Sequence, residues 1–154
     1  EGRGERADEA ITAIRAAWGQ REPSFKGEHF TFDGLVVDPS GVQEHLPIWV
    51  GGRSRRSLRR AVELADGWVP FGLTTDEVAA MLASVELPAR FEVVLRPGHE
   101  LLDPRADPEG ALAVLEHQEE AGATIHTVRL RADSPAHFTE QLALLAELAD
   151  LETP

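Results

Sequence analysis

Seven consecutive residues, Ile48-Trp49-Val50-Gly51-Gly52-Arg53-Ser54, carry the strongest chemical signal in the sequence. A short apolar run of strand character passes through two glycines into a helical pattern that Ser54 is suited to cap. The first amides of a helix have no carbonyl partner within it, and the aligned peptide dipoles favour negative charge at that end. Glycine at 51 and 52 leaves room for an anion to reach those amides, and the Ser54 hydroxyl can donate to a phosphate oxygen. Gly51, Gly52, Arg53 and Ser54 are therefore the candidate phosphate-binding residues. Arg53, with Arg55, Arg56, Arg59 and Arg60 beyond it, concentrates positive charge in a chain that 27 acidic and 15 basic side chains leave at -12. Two glycines after a strand also make an ordinary tight turn, and exposed helix arginines serve solubility, so spacing alone leaves both readings open. Neither G-x-G-x-x-G nor the P-loop lysine pattern is present to decide between them.

No rival constellation stands elsewhere. The sequence has no cysteine, which excludes disulfides, thiolate nucleophiles and cysteine metal sites and suits a cytoplasmic protein. Histidines occur at 29, 45, 99, 117, 126 and 137; none is four residues from another on a helical pattern, so no metal site is expected. His126 falls in a strand pattern and reads as a hydrogen-bonded core residue. No G-x-S-x-G elbow supports a serine hydrolase. The acidic surface repels phosphate backbones, so nucleic acid is not an expected partner. No apolar run approaches the roughly 20 residues that span a bilayer. The first residue is Glu1 rather than Met, as expected of a processed chain or a piece of a longer reading frame, and the charged start is not a signal peptide.

The elements that must hold the turn follow from periodicity. Within 1–20, Ala7, Ala10, Ile11, Ile14, Ala17 and Trp18 share one helix face, with Asp8 and Glu9 in its first turn. Within 25–46, Phe30, Phe32, an Asp33-Gly34 turn, Leu35 and Val37 predict a β-hairpin. From 47 to 150, strand and helix alternate four times within what is otherwise a single-domain length. Strands are predicted at 48–50, buried on both faces, and at 68–71, 91–95 and 124–130, with Arg96-Pro97-Gly98 closing the third. The helices between and after them open at Ser54, at the Thr74/Glu77 capping box, at Asp107-Pro108 and at Ser134-Pro135. Gly67 is the expected C-cap of the first and Gly122 the stop of the third, while Phe138, Leu142 and Leu145 are the expected buried side of the last. Such alternation implies parallel strands with right-handed crossovers, in an open doubly wound sheet or part of a barrel.

From Pro47 through Ser54, and on through Leu58, Arg59, Arg60, Ala61 and Ala65-Asp66-Gly67-Trp68, the sequence resembles the luciferase-like monooxygenase superfamily, and within it the coenzyme F-420-dependent branch. The likeness extends back over Arg6-Ala7-Asp8-Glu9-Ala10, the 25–32 segment and Val42-Gln43, and is weakest after Pro97. Ser40-Gly41 stands where the family usually has lysine-proline. The resemblance implies an α/β fold that is the C-terminal half of a TIM (β/α)8 barrel: four parallel βα units after a helix and a hairpin insertion. It implies that Gly51, Gly52, Arg53 and Ser54 hold the phosphate of F-420, or alternatively FMN, in an oxidoreductase passing hydride to or from a small organic substrate. An oxygen-using FMN monooxygenase, or a non-catalytic βα domain that associates with another chain, are the other expectations. Barrel active sites lie at the carboxyl ends of strands, which makes Trp68, Phe71, Arg96 and Arg131 secondary candidates. Catalytic residues are left unassigned, this chain alone is expected to be inactive, and either a homo-oligomer or a separate N-terminal half-barrel is the expected complement.

Overall fold

A computed structural model describes residues 2–96, 98 and 101–150; Pro97 and His99 lie outside the described residues. The chain divides into two compact units, Glu1–Trp68 with Pro88–Phe91, and Val69–Leu87 with Glu92–Pro154.

In the first unit, α1 (Arg3–Ala17) begins at Gly2, whose left-handed backbone replaces a side-chain cap. The predicted apolar face is only partly covered: Ala13 is its buried residue, and Ile14 is 52% exposed. Polar anchors hold α1 instead. Asp8 and Glu9 lie beyond the first turn, so they answer the tertiary structure and not the helix dipole. Asp8 pairs with Arg60. Glu9 accepts three consecutive amides, from Glu28, His29 and Phe30, at 3.0, 2.8 and 2.7 Å. Partial burial pushes the Glu9 carboxyl up, but the amides of Phe30, His29 and Glu28 outweigh it and hold it below its ordinary value.

That carboxylate also decides where the chain reverses. The hairpin joins β1 (Phe25–Lys26) to β2 (Thr31–Phe32), with Phe25 opposite Phe32 and their rings stacked 5.7 Å apart. Its turn is the Gly27 to Phe30 stretch, closed by the Gly27 amide on the Phe30 carbonyl at 2.8 Å. The predicted Asp33-Gly34 reversal is corrected: Asp33 merely accepts the Gly34 amide, and Leu35 and Val36 run on exposed outside any strand. Three amides gathered on one carboxylate outweigh a local turn preference. We expect Glu9→Ala to strip the Glu28, His29 and Phe30 amides of their hydrogen-exchange protection together; unchanged exchange at all three would refute the anchor.

β3 (Trp49–Gly52) then leads into α2 (Arg55–Leu64), and β4 (Gly67–Pro70) follows. Trp49 is 45% exposed, against the expectation of a strand buried on both faces. The reason is position: β3 ends the strand order β3-β4-β5-β6 of a four-stranded parallel sheet. Gly67 is not a C-cap; Ala65 is, in extended conformation, and Gly67 opens β4. Asp66 forces that path. Its amide donates to the Ile48 carbonyl at 2.9 Å, and its carboxylate takes the Ile48 amide at 2.7 Å, Arg15 at 2.5 Å and His45 at 2.7 Å.

The second unit contains α3 (Thr75–Leu82), β5 (Glu92–Leu95), α4 (Pro108–Glu120), β6 (Ile125–His126) and α5 (Pro135–Leu148). The predicted caps are present: Thr74 and Glu77 form a reciprocal box, and Asp107 and Ser134 each accept an amide from three residues on. β5 and β6 pair in parallel, Val94 with Ile125 and Leu95 with His126. The predicted strand at 124–130 shrinks to two residues, Ile125 and His126, paired with the last two of β5, which ends at Leu95. Leu130 instead bridges Leu102 and joins a core with Ala111, Leu115 and Leu145. Phe138 and Leu142 are 44% and 45% exposed, contrary to prediction. Gln141, fully enclosed, takes the inward position of α5. Its amide nitrogen donates to Asp103 and to the Arg131 carbonyl, and its oxygen accepts the Arg105 amide. These three hydrogen bonds let Gln141 be enclosed with its polar groups satisfied.

Candidate functional site

The 51–54 segment lies at the carboxyl end of β3. Both glycines belong to the strand, and their exposure alternates with its pleat: Gly51 faces out and Gly52 in. Gly52 is glycine for an internal reason. A Cβ there would fall 2.3 Å from both Cβ and Oγ of Ser57, so the first turn of α2 rests directly on the strand backbone. Ser57 in turn organises the helix start. Its amide donates to Ser54 Oγ at 3.2 Å, and its own Oγ accepts the Ser54 amide at 3.1 Å and donates to the Ser54 carbonyl at 2.7 Å. This serine-serine capping box was legible at sequence level only as Ser54; the second serine three residues on was the signal.

Ser54 accepts with its oxygen and keeps its hydroxyl proton for another partner. The amides of Arg55 and Arg56 precede any carbonyl that α2 can offer. Gly51, Arg53 and Ser54 are exposed. No acidic residue stands in the first turn of α2, whereas α3 has Asp76 and Glu77 and α4 has Glu109. Arg55 and Arg56 stand there instead, where the dipole disfavours cations by about 0.3–1 kcal/mol each. An anion at the turn would reverse that penalty. These features suit a phosphate: free amides, a free hydroxyl proton, local positive charge and open access.

The arginines of α2 are not uniformly solvated. Arg60 is only 17% exposed, pairs with Asp8 and donates to the Gly4 carbonyl at 3.0 Å. It is a structural tie between α1 and α2. Arg53, Arg55, Arg56 and Arg59 stay exposed.

The secondary candidates separate by environment. Trp68 is fully buried, and its indole N–H has no acceptor among the described residues. In the second unit, Phe71 is exposed beyond β4. Arg96 follows β5 beside a cavity of about 50 Å³ shared with Pro70, Thr75 and Gln118. Arg131 lies 3.7 Å from Asp103. His126 meets Gln118 at 2.9 Å and Glu119 at 3.4 Å, in keeping with a hydrogen-bonded packing role. Among the described residues no group of three or more potential ligands gathers in a way that could hold a metal, and no helix is long and apolar enough to cross a membrane.

Residues 1–151 match the family model described as luciferase-like monooxygenase. The chain belongs to this family. It is similar to an uncharacterized protein of Mycobacterium tuberculosis, 31% identical over 80 residues, which are 50% of this chain and 28% of that protein. It is also similar to the FMNH(2)-dependent dimethylsulfone monooxygenase of Pseudomonas putida, 24% identical over 132 residues covering 85% of this chain and 34% of the enzyme. Among solved structures, an F-420-dependent secondary alcohol dehydrogenase in complex with an F-420–acetone adduct superposes with a TM-score of 0.52 at 18% identity. That alignment covers 95% of this chain and 53% of the dehydrogenase. The chain thus spans about a third of the length of these curated relatives and about half of the solved enzyme. Its fold is the C-terminal, four-unit half of a (β/α)8 barrel.

Proposed function

We propose that this chain supplies the phosphate-holding half of a flavin- or deazaflavin-dependent oxidoreductase, with F-420 the preferred cofactor, acting on a small organic substrate. The observation that carries the proposal is the exposed turn at 51–54, where unpaired amides, the Ser54 hydroxyl and uncompensated arginines converge on one helix start. When bound, the cofactor supplies the hydride chemistry. The chain's own part is to bind and orient. The Arg55 and Arg56 amides and Ser54 Oγ would hold phosphate oxygens, Gly51 keeps the approach open, and Arg53 adds attraction. In this reading the first four strands, and the groups that face the substrate, come from residues outside this chain.

FMN is the competing cofactor, favoured by the Pseudomonas relative. Fluorescence titration of the complete polypeptide with FMN and with F-420 tests both. Ser54→Ala should weaken the bound cofactor about tenfold through one lost charge-assisted hydrogen bond, and cost about 1 kcal/mol of stability through the lost cap. Normal affinity in Ser54→Ala, alongside the stability loss, would reduce Ser54 to a helix cap. Tight FMN binding with no response to F-420 would reverse the cofactor preference.

A further inference from the structure

α2 and α1 border an open cleft of about 290 Å³ lined by Asp8, Arg56, Arg59, Arg60 and Glu63. Arg60 is already engaged by Asp8 and the Gly4 carbonyl. The Arg56 guanidinium lies over Gly4 of α1, where a Cβ would fall 1.9 Å from its Nη2 and would shift that end of the side chain. Neither Arg56 nor Arg59 has a carboxylate partner among the described residues, and Glu63 is the one unengaged acid in the lining. Two guanidiniums facing one carboxylate, near a helix end that disfavours cations, form a pocket with surplus positive charge in a chain at -12. At about 1.5 Å of rise per residue, Arg56 and Arg59 stand about 3 and 8 Å along the helix from Ser54.

We propose that this cavity takes a second anionic group, carboxylate or phosphate, carried by the same ligand whose first phosphate sits at 51–54. The inference rests on that phosphate reading and extends it. FMN ends at its single phosphate, whereas the tail of F-420 continues past its phosphodiester into glutamyl carboxylates. The cavity therefore distinguishes two cofactors between which the turn cannot choose.

The test is calorimetric titration of the complete polypeptide with FMN and with F-420, in phosphate-free buffer. The Arg56→Gln/Arg59→Gln double variant should bind F-420 about tenfold more weakly and change FMN affinity less than about twofold. Gly4→Ala, which displaces the Arg56 guanidinium without removing its charge and favours the helix, should weaken F-420 by a smaller factor with no loss of stability. Equal weakening of both ligands by the double variant would overturn the proposal, because the arginines would then act only as a general field. So would unchanged F-420 binding in both variants, or a protein that binds FMN and not F-420. Inorganic phosphate competing with F-420 in the parent and not in the double variant would assign the cavity to a free anion, and overturn the shared-ligand claim. Ser54→Ala separates the two ideas. If it leaves both cofactors unaffected while the double variant still selects against F-420, the turn reading fails and the cavity stands; the reverse pattern leaves only the turn.

Discussion

Gly52→Val is expected to lower the stability of the protein by about 3 kcal/mol and to abolish binding of any phosphate-bearing cofactor. A Cβ at 52 meets Ser57 Cβ and Oγ at 2.3 Å, and Ser57 Cβ is fixed to the helix backbone, so it cannot swing away. The helix must lift from the strand. Lifting it separates the Ser54–Ser57 box and moves the amides at the start of α2 on which the proposed phosphate site rests. Gly52→Ala should cost less, about 2 kcal/mol, and adding Ser57→Gly should return part of it despite the poorer helix propensity of glycine. Urea unfolding of the four proteins measures this directly. A valine variant with an unshifted midpoint would mean that the first turn of α2 does not rest on β3.

The second large effect belongs to Asp66. Its carboxylate joins α1 through Arg15, the insertion through His45 and the start of β3 through the Ile48 amide. Asp66→Ala leaves a half-buried amide and guanidinium without their acceptor, and we expect a loss of about 2–3 kcal/mol. Partial burial pushes the Asp66 carboxyl up, but the Ile48 amide, Arg15 and His45 together hold it below its ordinary value. A depressed native pKa fixes the sign. The contribution is complete above the unfolded carboxylate range, about pH 4, and is lost as pH falls through the native value below it. Stability measured from pH 7 down to 3 should therefore converge for the parent and Asp66→Ala at the acid end. Curves that remain parallel throughout would show that the ionised carboxylate is not what holds these segments.

Both residues were visible in the sequence, with different degrees of meaning. The Gly51-Gly52-Arg53-Ser54 string announced a strand running into a capped helix, and the Asp107-Pro108 and Ser134-Pro135 pairs announced two more helix starts. These are local signals, set by a residue's own backbone preferences and hydrogen-bonding reach, so they survive in any context. The alternation of four βα units was legible for the same reason, whereas the choice of a half-barrel over an open sheet came from the family resemblance and not from periodicity.

What a charged or apolar side chain does across the fold was not legible. Asp8 and Glu9 read as first-turn charges of the leading helix, and Arg60 as a solubilising one, until the chain brought their partners from 19 or more residues away. Phe138 and Leu142 read as core until Gln141, bonded to Asp103 and to the backbone at 105 and 131, proved to be the enclosed residue. The sequence by itself determined the helix starts at Ser54, Thr74, Asp107 and Ser134, and which turn could hold an anion. Only the tertiary structure decided that Gly52 is bare to admit Ser57, and that Arg60 is spent on the protein while Arg53, Arg55, Arg56 and Arg59 stay exposed. The physical reason is that caps and turns are satisfied within about four residues, while burial and charge pairing depend on atoms that sequence distance does not reveal.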